Sequence, residues 1–123
     1  MTVTPRCDGL YVAQWADQGS YSYLRFYPDG WVTQVSSTGT PEQVARWIDR
    51  DRTDLSQGRS VLVDGEILFS LVSPTGRVDY FGHVPAGAAS LDLHSHSLIN
   101  QHEGAALHDF VPIPEFAGDF GGD

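Results

Sequence analysis

The chain has 123 residues, with 16 acidic groups against 7 basic ones and a formal charge of -9. Every basic residue is Arg, and 41% of the chain is hydrophobic. That length and apolar content describe one folded domain rather than a disordered chain, while the acidic balance argues against a nucleic-acid backbone or an anionic membrane surface as partner.

The first segment, Met1 to Cys7, lacks the apolar stretch of a signal peptide, and no run approaches the ~20 apolar residues that span a bilayer. A cytoplasmic location is expected. Cys7 is the only cysteine, so no internal disulfide forms, and nothing beside it in sequence activates the thiol as a nucleophile. Gly9 to Ala16 then reads as a strand closed by Asp17-Gln18-Gly19. Tyr21 to Tyr27 and Trp31 to Ser36 flank Pro28-Asp29-Gly30, where Pro presets φ and Gly accepts the left-handed conformation of a hairpin turn.

Thr40-Pro41-Glu42-Gln43 starts a helix, with an N-cap Thr, Pro at the first position and Gln at the capping-box position. Val44, Trp47 and Ile48 give it one apolar stripe over 41–50. Asp49 to Gly58 is polar, carries the mixed charges Asp49, Arg50, Asp51, Arg52 and Asp54, and reads as a solvated loop. Four strands follow, Ser60 to Val63, Glu66 to Val72, Arg77 to Val84 and Ala88 to Ile99, joined at Asp64-Gly65, Ser73 to Gly76 and Pro85-Ala86-Gly87. A last strand, Ala105 to Ile113, precedes a Gly/Asp-rich tail over 116–123 that is expected to be loose. Short strands joined by tight turns predict an all-β, eight-stranded antiparallel up-and-down barrel with one short helix, because closure removes both sheet edges. A two-sheet sandwich is the alternative.

The hairpin Phe26-Tyr27-Pro28-Asp29-Gly30-Trp31-Val32 resembles the Phe-x-x-Asp-Gly-x-Val hairpin of small bacterial lipocalin-like (calycin-type) barrels. Gly9-Leu10-Tyr11 sits where such proteins begin their first strand, and Val78-Asp79-Tyr80 is faintly similar to the lipocalin Thr-Asp-Tyr turn. Tyr11 stands in place of the Trp of the usual Gly-x-Trp opening. The resemblance implies a cup-shaped interior that takes a small apolar ligand.

Turn lengths allow a register to be written. With Pro85-Ala86-Gly87 as a turn core, Tyr80 falls opposite Asp92 and Val78 opposite His94. A symmetric loop from Leu98 to Gly104 then sets His94 opposite His108, and Asp92 opposite Phe110. One face would carry Ile67, Phe69, Leu71, Val78, Tyr80, Asp92, His94, His96, His108 and Phe110, the other Leu68, Asp79, Phe81, Leu91, Leu93, Leu107, Asp109 and Val111. Both faces mix apolar and polar groups, so composition leaves the interior face open.

If the first face is inside, Phe69, Tyr80, His94, His96, His108 and Phe110 make an apolar cavity with a few polar groups to orient a ligand or move a proton. Tyr23 and Arg25 join the candidate ligand-binding set as a pair able to grip a carboxylate, although an outer face of stacked aromatics with an extended Arg is the simpler explanation of Tyr21, Tyr23 and Arg25. His94 and His96 with His108 have metal-ligand spacing, but two histidines alternating with serines on a half-exposed strand is the simpler reading, and neither metal nor cofactor is expected. Trp15, Trp31 and Trp47 read as barrel-end and helix-packing residues.

The function expected is binding of a small hydrophobic or amphipathic molecule in the barrel. The alternative is a cofactor-independent cyclase or isomerase of a hydrophobic substrate in the same cavity. Neither nucleic acid nor membrane is expected as a partner, and an interaction module or homodimer is left open.

Overall fold

The computed structural model describes residues 5–15, 20–48, 51–52, 54–74, 76–98, 103–114 and 116. Eight antiparallel strands form a closed barrel in sequence order: β1 Gly9–Trp15, β2 Ser20–Phe26, β3 Trp31–Ser37, β4 Ser56–Val63, β5 Glu66–Ser73, β6 Gly76–His83, β7 Ser90–Ser97 and β8 Glu103–Pro112. Closure is made by β1 against β8, with Tyr11 opposite Phe110, so the sandwich alternative does not apply. The expected hairpin turns form as their chemistry requires: Gly30 has φ +91°, and Asp64 and Gly65 both take positive φ between Val63 and Glu66. The expected turn at 17–19 lies outside the described residues.

Helix α1, Pro41–Ala45, is shorter than the expected 41–50. Its capping box is complete: the Gln43 amide donates to the Thr40 hydroxyl at 3.2 Å, and the Gln43 side chain accepts from the Thr40 amide at 2.9 Å. The turn continues through Trp47 and Ile48, whose amides both donate to the Val44 carbonyl. Val44 and Ile48 are buried, but Trp47 is exposed rather than part of the apolar stripe.

Strand β4 begins at Ser56, inside the stretch read as loop. Gly58 accounts for part of this. A Cβ there would collide with the Ser70 carbonyl oxygen, so only glycine lets β4 approach β5 this closely.

Two apolar clusters hold the fold. One fills the barrel and is built from inward-facing side chains, among them Tyr11, Leu24, Phe26, Ile67, Phe69, Leu91 and Leu93. The other lies outside the wall of β1, β2 and β3, where Leu10, Tyr23 and Val35 are covered by Val44, Ile48, Ile113 and Phe116. Phe116, where the loose tail was expected to begin, is therefore packed, and 117–123 lie outside the described residues.

The register of β7 differs from the one the turn lengths imply. Tyr80 lies opposite Ser95 and Val78 opposite Ser97, a displacement of three residues. An odd displacement turns a strand over, so Leu91, Leu93, Ser95 and Ser97 face inward, and Asp92, His94 and His96 face outward. The cause is the connection from Val84 to Ala89, which is a 3₁₀ turn at Ala86–Ala88 rather than a tight hairpin. Its apolar Val84 and Ala88 fold into the barrel end and are buried. Between β7 and β8 the displacement is again three: His94 lies opposite Ala105 and His108 opposite Leu91. The second slip cancels the first, and His108 and Phe110 share the inner face with Tyr80.

Candidate functional site

The two ends of the barrel are built differently. Where β1 begins and β2 ends, the barrel is stopped by the segment from Pro5 to Asp8 and by the 84–89 connection. Tyr11 ties these pieces together: its hydroxyl donates to the Ala88 carbonyl at 2.7 Å and accepts from the Arg6 amide at 2.8 Å. Aromatic rings pack much of this half, and a hollow of about 360 Å³ remains between Pro5, Cys7, Phe26, Tyr27, Ser60 and Leu62. Tyr11 meets Phe110 at 5.2 Å and Phe26 at 5.5 Å, Phe26 meets Phe69 at 5.7 Å, and Phe69 stacks on Tyr80 at 4.8 Å.

Toward the other end many of the described inward-facing side chains are small and polar. Gln34, Ser56, Ser73, Val78, Ser95, Ser97, Gly104 and Ala106 are all partly accessible there, and Ser36 is exposed. Small residues reach less far across the interior than rings do, so these described residues line the half as the wall of a cup, and by register Trp15 of β1 belongs to the same face. The pairing of β3 with β4 runs only from Trp31 with Arg59 to Gln34 with Ser56. Beyond it the wall parts into a cleft of about 500 Å³, bordered by Gln34, Ser36, Ser56 and Ser73 from the barrel and by Trp47, Arg52, Asp54 and Leu55 from the segment after α1. Arg52 pairs with Asp54 at 2.7 Å, and its guanidinium lies 5.4 Å from the Trp47 ring. The Gln34 amide donates to the hydroxyls of Ser22 and Ser36, each at 3.2 Å, so the rim carries ready hydrogen-bonding groups.

Two titratable side chains lie on the inner face between these halves. Burial pushes the Tyr80 phenol up to about 12, which keeps it protonated and able to donate. His108 is 2% exposed. Burial holds its imidazole below the ordinary value, an effect opposed by the Ala106 carbonyl and by Asp109. The ring is therefore neutral near pH 7. Its Nδ1 lies 3.3 Å from the Ala106 carbonyl oxygen, which fixes the proton on Nδ1 and leaves Nε2 as an acceptor. Nε2 is buried without a hydrogen-bond partner among the described residues.

Of the residues singled out in the sequence, the structure brings Phe69, Tyr80, His108 and Phe110 together on the inner face. Tyr23 and Arg25 are on the outside of β2. The Tyr23 hydroxyl donates to the Gly39 carbonyl, and the Arg25 guanidinium lies over the Phe116 ring at 3.7 Å while donating to the Ile48 carbonyl at 3.0 Å. They fasten α1 and the C-terminal segment to the barrel, which corrects the alternative of a carboxylate grip inside it. His94 and His96 are on the outer face, His94 stacked on Phe81 at 5.0 Å, so they cannot form a facial set with the inward-facing His108. Trp31 also faces outward, its indole nitrogen donating to Gln57.

The serines of the cup went unnoticed in the sequence. Ser95 and Ser97 were legible only as neighbours of the histidines, and the true signal was their alternation with Leu91 and Leu93 on one face of β7. Cys7 is half-buried, and burial pushes its thiol up, which keeps it from acting as a thiolate.

Set against known protein families, curated proteins and solved structures, the chain matches none.

Proposed function

We propose that this protein is a lipocalin-like carrier that binds a small amphipathic molecule through the open end of its barrel. The observation that supports the reading is the unequal lining of the interior: large rings cluster in one half, while among the described residues of the other half serines, glycines and alanines predominate. A pocket with apolar walls and a few placed polar groups suits a ligand whose apolar part enters the cup. Its polar part would remain at the rim among Gln34, Ser36, Ser56 and Ser73. The 500 Å³ of the rim cleft falls in the range of small-molecule sites.

A native mass spectrum of the purified protein, with a denatured sample as reference, tests this. The expected result is a retained organic mass that denaturation releases. A Ser95→Trp variant, which fills the cup opposite Tyr80, is expected to lose that mass while keeping its circular dichroism spectrum. An empty wild type that also gains no thermal stability from a panel of fatty acids, terpenoids and aromatic polyketides would sink the carrier reading.

A second reading, conversion of a hydrophobic substrate inside the barrel, is favoured by His108 alone. Its Nε2 is a buried basic atom with no hydrogen-bond partner among the described residues, on the same inner face as the Tyr80 phenol. It could take up a proton from a bound substrate. His108→Leu would separate the readings: a carrier retains its ligand, whereas an enzyme retains it and stops converting it.

A further inference from the structure

The two walls of the barrel differ on their outer faces. Over β1, β2 and β3 the outer side chains are buried under α1 and the C-terminal segment. Over β4 to β8 nothing among the described residues covers them, yet Val61, Val63, Leu68, Phe81 and Leu107 are there, each 47–56% exposed. The register arranges this face in rows. Val61, Leu68, Phe81, His94 and Ala105 stand side by side across five strands, with Phe81 and His94 stacked. On one flank run Ser70, Asp79, His96 and Glu103, and on the other Glu66, His83, Asp92 and Leu107. An apolar row between mostly polar flanks, with Val63 and Leu107 at the ends of one of them, is the composition of a contact surface.

We propose that this face docks a second copy of the chain, face to face, about a two-fold axis lying along the Val61-Leu68-Phe81-His94-Ala105 row. Two identical faces can meet only about an axis in the plane between them, so the candidates are few. With the axis along β6, β5 of one copy meets β7 of the other, and Glu66 meets the carboxylate of Asp92 twice. With the axis along the apolar row, the flanks exchange instead. Asp79 then meets His83, and His96 meets Asp92, each contact made twice, and no like charges are opposed. The rows carry their own complementarity, and it selects this axis over the other. A shallow groove of about 310 Å³ between Glu66, Phe81, His83, Asp92 and His94 lies at this flank, and His96 of the other copy would enter it beside Asp92 while Asp79 reaches His83 on the side away from Glu66.

The face sets the strength. Five strands ~4.8 Å apart and five residues ~3.4 Å long give a footprint of about 400 Å², roughly half of the ~800 Å² per partner in a standard interface. The net charge of -9 on each copy opposes association further. The dimer is accordingly weak and reversible.

Sedimentation equilibrium up to about 500 µM tests the proposal. The expected result is a monomer–dimer equilibrium that Phe81→Arg weakens at least tenfold, with an unchanged circular dichroism spectrum because the side chain is exposed. The axis is tested separately in a Cys7→Ser background. Of the two axes compared, only the one along the row brings Leu68→Cys onto its own copy, and a short bismaleimide is expected to join the two thiols. A wild type that stays monomeric over this range overturns the proposal. So does a dimer indifferent to Phe81→Arg, or one in which Leu68→Cys is not cross-linked.

Discussion

Tyr11 shows how much of this architecture rests on single side chains. It is fully buried, packs against Phe26 and Phe110, and its hydroxyl joins the N-terminal segment to the 84–89 connection. Tyr11→Phe keeps the ring and removes both hydrogen bonds, leaving the Ala88 carbonyl without its donor. The expected cost is ~1–3 kcal/mol in urea unfolding, with faster amide exchange in the two tethered segments. His108 makes the opposite case. Because burial lowers its folded pKa below the ordinary 6.5, the unfolded chain takes up the proton first as pH falls. The stability it leaves intact above pH 6.5 is therefore lost progressively as pH drops through that value toward the folded pKa. His108→Leu removes this loss and the orphaned Nε2, so at pH 7.5 the variant is expected to be as stable as the wild type or ~1 kcal/mol more so. Stability curves at pH 7.5 and pH 5.5 check both statements. A wild-type loss on acidification that the variant shares in full would contradict them.

At the scale of elements, the outer cluster decides how α1 and the C-terminal segment attach. A five-residue helix is too short to persist alone, and it is held by its capping box and by Val44 and Ile48 against β1 to β3. Phe116 covers the same wall and the Arg25 guanidinium. Phe116→Ala is expected to cost ~3 kcal/mol and to open the chain after Pro112 to limited proteolysis, while the barrel hydrogen bonds stay protected from exchange. Simultaneous loss of protection throughout the barrel would mean that the segment is integral to the fold.

The strand order, the Pro28-Asp29-Gly30 and Asp64-Gly65 hairpins and the start of α1 at Thr40 were legible in the residues, because each rests on local backbone chemistry. The entry of β4 at Ser56 was not, because polar residues facing a solvated cup look like a loop. Nor was the face of β7. Its orientation depends on whether Val84 and Ala88 turn tightly or fold inward as a plug, and that choice is made by burial against Tyr11 and Leu91, distant in sequence.

For the molecule as a whole, an excess of nine negative charges on a closed barrel is a self-repulsion that salt relieves. Raising sodium chloride from about 20 to about 500 mM is expected to stabilise the fold by ~1 kcal/mol, or about 4 °C in Tm. A fall in Tm would instead identify the Arg–carboxylate pairs, such as Arg77 with Asp79, as the dominant electrostatic contribution. The sequence by itself determined the eight strands and their antiparallel order, since alternating apolar residues between turn formers leave few other ways to bury one face, while the pairing of β1 with β8 decided for a closed barrel over a sandwich. Only the tertiary structure decided which half of the interior is filled, that Phe69, Tyr80, His108 and Phe110 face inward together, and that Tyr23, Arg25, His94 and His96 face out. Those outcomes depend on strand parity, and the face of β7 follows from the 84–89 connection, whose Val84 and Ala88 are buried in the barrel end rather than held in a tight turn.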